Sequence, residues 1–292
     1  MPRVPVTLFI ATWVWACGDS KGVVPDDSGH QCGSLTPGIS EFTLAQEIDG
    51  DMVDRTVVVH APEVVNEEFC YPVLFAFHGN GGTGQDWVSV LQEQVEAGLF
   101  VGVYPEGHLQ GWNTGHEETT ADDVAFAEGI LAALVEMDGL DATAPVALGE
   151  SNGGGLVHRL GMNSERFVGL AALSSPLNDS ELPDDDDPPV SILQIQGTAD
   201  DSIPYEGGTD VSGNVTFLGA EESAAVWAAH NNCEAEPTEE TVDDRTTALL
   251  WRDCSAGVRV SHYRVEEGEH HLPDDIGGDT QALVWDFLSA AR

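Results

Sequence analysis

Ser151 stands in Gly149-Glu150-Ser151-Asn152-Gly153, between the apolar run Ala144–Leu148 and a second run opening at Leu156. Small residues two before and two after a serine let a strand turn sharply into a helix. The hydroxyl then stands clear of the strand's carboxyl end, above the unpaired N–H groups of the helix N-terminus. There it can attack a carbonyl carbon if a base takes its proton and donors receive the developing oxyanion. A base is offered by Gly268-Glu-His270-His271-Leu-Pro273, where either imidazole could serve. A carboxylate in Gln196-Gly-Thr-Ala-Asp200-Asp201 would orient that base. Asp200 is the choice here, with Asp201 its nearest rival. His78-Gly79-Asn80-Gly81-Gly82 offers a second donor, so that the N–H of Asn80 joins that of Asn152. Each signal alone also reads as a glycine-rich turn, a turn aspartate or a surface histidine. Their order, Ser then Asp then His, each beyond an apolar strand, is what the bland readings leave unexplained.

These residues need strands to carry them. Phe42–Gln46 and Arg55–His60 read as opening antiparallel strands, and Pro72–Phe77 as a buried strand leading into the His78 loop. Helical patterns cover Asp86–Ala97, Ala121–Met137, Glu222–His230 and Thr280–Ala290. Further strands fall at Leu99–Tyr104, Pro145–Leu148, Val168–Leu173, Val190–Ile195, Ala248–Trp251 and Val258–Val265. Strands alternating with helices predict a mainly parallel, doubly wound α/β sheet. Only about fifteen residues separate Ser174 from Val190, too few for a large cap domain, so an open cleft is expected.

The 292 residues carry 51 acidic against 10 basic side chains, a formal net charge of −41. That surface repels nucleic acid and anionic membranes, and it reads as a solvated shell. The run Asp184–Asp187 reads as a charged loop rather than a Ca²⁺ site, and His116-Glu117 lacks the second histidine of a zinc motif. No metal or cofactor is called for.

Met1 to Ala16 has the form of an export signal, with Arg3 ahead of an apolar stretch too short to span a bilayer. Ala16-Cys17-Gly18-Asp19 resembles a bacterial lipoprotein cleavage site, with lipid joining Cys17 and possible anchoring to a membrane. Residues 17–40 then read as a tether and 41–292 as the catalytic domain. Setting Cys17 aside leaves Cys32, Cys70, Cys233 and Cys254, an even set for an oxidising compartment. Of three pairings, Cys233–Cys254 and Cys32–Cys70 are favoured because each closes a local segment.

His78-Gly-x-Gly-Gly, Tyr104-Pro105, Trp112, Asp122-Asp123, Gly149-x-Ser-Asn-Gly-Gly154, Gly197-Thr-x-Asp200, Pro204-Tyr205 and Gly268-x-His270-x-x-Pro273 together resemble one family. It is the polyhydroxybutyrate depolymerase/feruloyl esterase family of secreted α/β-hydrolases, and the match runs from about Arg55 to the C-terminus. The resemblance implies the α/β-hydrolase fold and a serine carboxylic-ester hydrolase acting on polyester or cell-wall-linked esters. It makes His270 rather than His271 the base and Trp112 a substrate contact. It also matches Cys233 and Cys254 to a cysteine pair of the family. Leu272 departs from the pattern, because the family usually has tryptophan after the histidine. Two rivals are a serine peptidase of the same fold and a non-catalytic binding lipoprotein, which an intact triad disfavours. Oligomeric state has no signature in the sequence.

Overall fold

A computed structural model of the protein describes Cys32 and residues 35–292. The segment read as an export signal (1–16) and Cys17, the expected lipidation site, lie outside the described residues. Two antiparallel strands open the fold, β1 (Gly38–Ile48) and β2 (Asp51–Ala61). β3 (Tyr71–Phe77), the short helices α1 (Asp86–Val90) and α2 (Gln92–Glu96), β4 (Val101–Pro105) and α3 (Asp123–Val135) follow. The core of the site comes next, with β5 (Leu140–Glu150), α4 (Asn152–Asn163), β6 (Gly169–Leu173) and β7 (Ser191–Gly197). A small hairpin, β8 (Gly208–Thr209) and β9 (Thr216–Phe217), precedes α5 (Ala220–His230). The chain ends with β10 (Thr238–Thr241), β11 (Thr246–Trp251), β12 (Val260–Val265) and α6 (Thr280–Ser289).

Among the described residues, ten strands form one sheet in the order β1-β2-β4-β3-β5-β6-β7-β12-β11-β10. The block from β4 to β12 is parallel, and antiparallel strands close both edges. The parallel strands are continuously apolar because both faces are covered. On one face Phe126, Ile130, Leu156, Leu160 and Trp227 of α3, α4 and α5 pack against Phe75, Val103 and Leu170. On the other, Trp87, Val95, Trp285 and Leu288 of α1, α2 and α6 pack against Leu74, Leu148 and Leu193.

Three local outcomes differ from the sequence reading. The helix expected over Asp86–Ala97 breaks at Leu91, whose ψ opens to 9°, and Trp87, Leu91 and Val95 still all face the core. β10 is the fully exposed Thr-Glu-Glu-Thr edge, whose lack of any apolar alternation hid it. The first strand begins at Gly38, and Cys32 is bonded to Cys70, so the end of the segment read as a tether is fastened to the sheet. Cys233 and Cys254 form a second disulfide beyond α5.

Candidate active site

β5 ends at Glu150 and α4 begins at Asn152, leaving Ser151 alone in the turn with φ 54° and ψ −120°. A non-glycine residue is held there only by what surrounds it. Gly149 and Gly153 make the turn possible. A Cβ on Gly149 would overlap the Gly153 carbonyl, and one on Gly153 would overlap the Phe77 carbonyl. The Ser151 amide donates to the Leu173 carbonyl on β6, which anchors the turn across the sheet.

The Ser151 hydroxyl lies 3.0 Å from Nε2 of His270, and Nδ1 of His270 lies 2.8 Å from Oδ2 of Asp200. A carboxylate only accepts, so Nδ1–H donates to Asp200 and the bare Nε2 faces the serine. Asp200 is nearly buried, at 7% exposure, and both oxygens are satisfied. Oδ1 accepts from the amides of Ser202 and Ile203, and Oδ2 accepts from Nε2 of Gln196 at 2.7 Å as well as from His270. Gln196 is a buried strand residue that the sequence reading passed over. Burial pushes the His270 imidazole down, but the hydrogen bond and charge of Asp200, helped by Glu150 and Asp201, outweigh it and hold the pKa above 6.5. His271 takes another path. Its side chain is 91% exposed and its Nδ1 meets Oε1 of Glu150 at 3.0 Å. Asp201 is exposed and takes no part in orienting His270 through a hydrogen bond.

The two expected oxyanion donors stand beside the serine. Asn152 is the first residue of α4, where an amide has no intrahelical acceptor. Asn80 lies in the loop after β3, and Asn80, Asn152 and Ser151 line one cavity of about 590 Å³. The neutral His78 shapes that loop. Its Nε2 accepts from the Gly107 amide at 3.0 Å and its Nδ1–H donates to the Gly79 carbonyl at 2.7 Å. Burial keeps its pKa below 6.5.

Trp112, expected as a substrate contact, lines neither the cavity beside Asn152 nor any exposed surface. It is 0% exposed, its ring packs on Phe77 and His78, and its indole N–H donates to the His78 carbonyl at 2.8 Å. A motif tryptophan beside a catalytic loop reads as a binding surface in sequence; here it is the floor under that loop. Asp122 caps α3 by accepting from the Ala125 amide, and Asp123 makes a buried 2.7 Å ion pair with Arg55. These two motif residues are structural.

Ser151, Asn80 and His270 also line a second cavity, of about 560 Å³, whose wall includes Trp87, Val90, Leu173, Leu272 and Pro273. Ser151 therefore sits where two cavities meet. The first is walled by the His108–Thr119 segment and by the β8–β9 hairpin with Asp210, Val211 and Phe217. The connection between Ser174 and Val190 adds no cap, and the hairpin supplies the overhang instead. Among the described residues, no group of three or more His, Cys, Asp or Glu is arranged to hold a metal ion.

A parallel sheet with helices on both faces, carrying a serine in a strand–turn–helix bend, defines an α/β-hydrolase. No family model matches the chain. Over 247 residues the chain is 29% identical to feruloyl esterase B of Piromyces equi, covering 80% of this chain and 45% of that one. It is 21% identical to feruloyl esterase C of Emericella nidulans over 270 residues, covering 89% and 93%. The chain thus spans less than half the length of the Piromyces protein. An acetyl xylan esterase from Aspergillus awamori superposes with a TM-score of 0.57 over 79% of this chain and 94% of its own, at 11% identity. The chain thus has the α/β-hydrolase fold and is similar in sequence to feruloyl esterases over most of its length.

Proposed function

We propose that the protein is an exported serine carboxylic-ester hydrolase that cleaves esters carried on a polymer, either a polyester or a cell-wall glycan. The observation that carries the reading is the hydrogen-bonded chain Ser151–His270–Asp200 opening at the junction of two cavities. Ser151 attacks the ester carbonyl as Nε2 of His270 takes its proton. The amides of Asn80 and Asn152 receive the oxyanion, and His270 returns the proton to the departing alcohol. Water, deprotonated by the same imidazole, then releases the acid and frees the serine. Cavities on both sides of the nucleophile suit an ester with bulk on both its acyl and its alcohol side. Relatives bearing the name feruloyl esterase support an aromatic acyl group, and no cofactor enters the reaction.

Turnover of p-nitrophenyl acetate, lost in Ser151→Ala by several orders of magnitude, tests the chemistry. A fluorophosphonate probe that labels another serine would refute it. Methyl ferulate, acetylated xylan and polyhydroxybutyrate film, compared under one condition, rank the acyl groups. Export rests on the leader-like segment and the paired cysteines. Intact mass of the mature chain checks for a diacylglyceryl group on Cys17, and an unlipidated N-terminus elsewhere would refute the anchor.

A further inference from the structure

One surface segment, Gly107 to Glu117, fastens both oxyanion donors. At its start it holds the Asn80 loop. The Gly107 amide donates to His78, the Gly81 amide donates to the Gln110 carbonyl at 2.7 Å, and the Trp112 indole donates to the His78 carbonyl. At its end it holds Asn152. The Trp112 amide donates to Oδ1 of Asn152 at 2.7 Å, and Nδ2 of Asn152 donates back to the Trp112 carbonyl at 2.9 Å. The second proton of Nδ2 goes to Oε1 of Glu117 at 2.8 Å. Glu117 then closes the segment upon itself. Oε1 also accepts from the Thr114 hydroxyl, and Oε2 accepts from the amides of Thr114 at 2.6 Å and His116 at 3.2 Å. Leu109 and Gln110 meanwhile hold φ near +57° and +59°, so the segment is not in a conformation it would keep unfastened.

From this geometry we infer that Glu117 is a positioning residue for the oxyanion hole. Its carboxylate locks the side chain of Asn152, and so the Asn152 amide, against the segment that also braces Asn80. The inference rests on the serine-hydrolase reading above. Four donors satisfy the carboxylate, so it acts as a bracket and transfers no proton. The choice of residue type follows from the donors it meets. A glutamine could still accept through its oxygen, but its NH₂ would oppose the Asn152 NH₂ or the two amides on the other side. Oxyanion donors work by standing ready at the position of the transition-state oxygen, so a displacement on the order of 1 Å costs rate rather than affinity.

The test measures kcat, KM and the pH profile for Glu117→Gln, Asn152→Ala and the double variant, with Ser151→Ala beside them. Glu117→Gln is expected to lower kcat about 10- to 100-fold with KM within about twofold, and to leave the midpoint of the acidic limb, set by His270, unmoved. Glu117 and Asn152 act through one bond, so the double variant should lose little more than the worse single variant. Far-UV circular dichroism and the melting temperature report folding. A kcat within twofold of the parent, a change confined to KM, a shifted acidic limb, or additive losses in the double variant would each overturn the inference. So would loss of the fold together with the turnover, since Glu117 would then be a structural residue only. Ser151→Ala separates the two levels. If it is inactive while Glu117→Gln is fully active, only the inference fails; if it stays active, the serine-hydrolase reading fails as well.

Discussion

His270 and His271 are neighbours in sequence and serve different carboxylates. His270 is turned inward between Ser151 and Asp200, whereas His271 points to solvent beside Glu150. His270→Ala and Asp200→Asn should therefore lower kcat by about 10³- to 10⁴-fold, and His271→Ala by no more than about threefold. In the proposed reaction His270 must be neutral to take the serine proton, and its pKa is held above 6.5. Turnover should thus rise with pH through a midpoint above that value. Asp200 is the larger cause and Glu150 a smaller one. Glu150→Gln should then move the midpoint downward without removing the plateau rate, and the movement should shrink in 1 M NaCl because Glu150 is partly exposed. A pH–rate profile at two salt concentrations reads this directly. An unmoved midpoint would mean that solvent already screens the Glu150 charge.

At the scale of elements, β2 and α3 are joined through Arg55 and Asp123, each 3% exposed. Arg55 also lies over the Phe126 ring at 3.7 Å and donates to the Glu106 carbonyl and to Gln46. Removing one partner strands the other charge in the core. Asp123→Ala should cost about 3–5 kcal/mol of unfolding free energy, measured by urea denaturation. It should also disturb the site, because Asp123 accepts from the Asn113 amide in the segment that braces Asn152. The β8–β9 hairpin makes a different prediction. It overhangs the cavity beside Asn152 through Val211, which is 79% exposed, and makes no hydrogen bond to Ser151, His270 or Asp200. Removing residues 211–214 should raise KM roughly tenfold for an ester with a bulky group, a loss of about 1.4 kcal/mol of contact. p-Nitrophenyl acetate kinetics should hold steady. Equal losses on both substrates would show that the hairpin supports the fold rather than the substrate.

For the whole molecule, −41 of formal charge sets the response to salt. The Debye length falls from about 10 Å at 0.1 M to about 3 Å at 1 M, so molar NaCl or KCl should raise the melting temperature by screening repulsion among carboxylates. Acid acts the other way. His158 and His262 are buried and neutral, with pKa values depressed by burial to about 4. His158 accepts from the Trp227 indole and donates to the Ser175 carbonyl, while His262 meets the Tyr205 hydroxyl. Below pH 6.5 the unfolded chain binds protons that these native histidines refuse, so stability falls as pH drops from 6.5 toward 4. By pH 5 the loss is on the order of 2 kcal/mol for each. Melting temperatures should therefore decline between pH 6.5 and 5 even though acidification begins to neutralise the surface. A rise over that interval would mean that relief of surface charge outweighs the two histidines.

The alternation of strands and helices, the elbow and the order of its partners were all legible in the chain, because each is a local pattern. Glycine is demanded where backbones touch, apolar runs mark strands buried on both faces, and a carboxylate and an imidazole must each follow a strand. What joins Asn152 to Glu117 spans 35 residues, and what joins His78 to Trp112 spans 34. No periodicity records such a contact. Trp112 looked like a ligand surface because its type and motif fit one, and only packing against Phe77 and His78 makes it the floor of the site. Gln196 and Glu117 carried no signal, since a polar residue on a strand or loop gains its meaning from the donor or acceptor it meets. Local chemistry singled out Ser151, Asp200 and His270 as the candidates for the proposed reaction. The tertiary fold decided which others hold them, because hydrogen bonds act over about 3 Å wherever the chain brings two groups together.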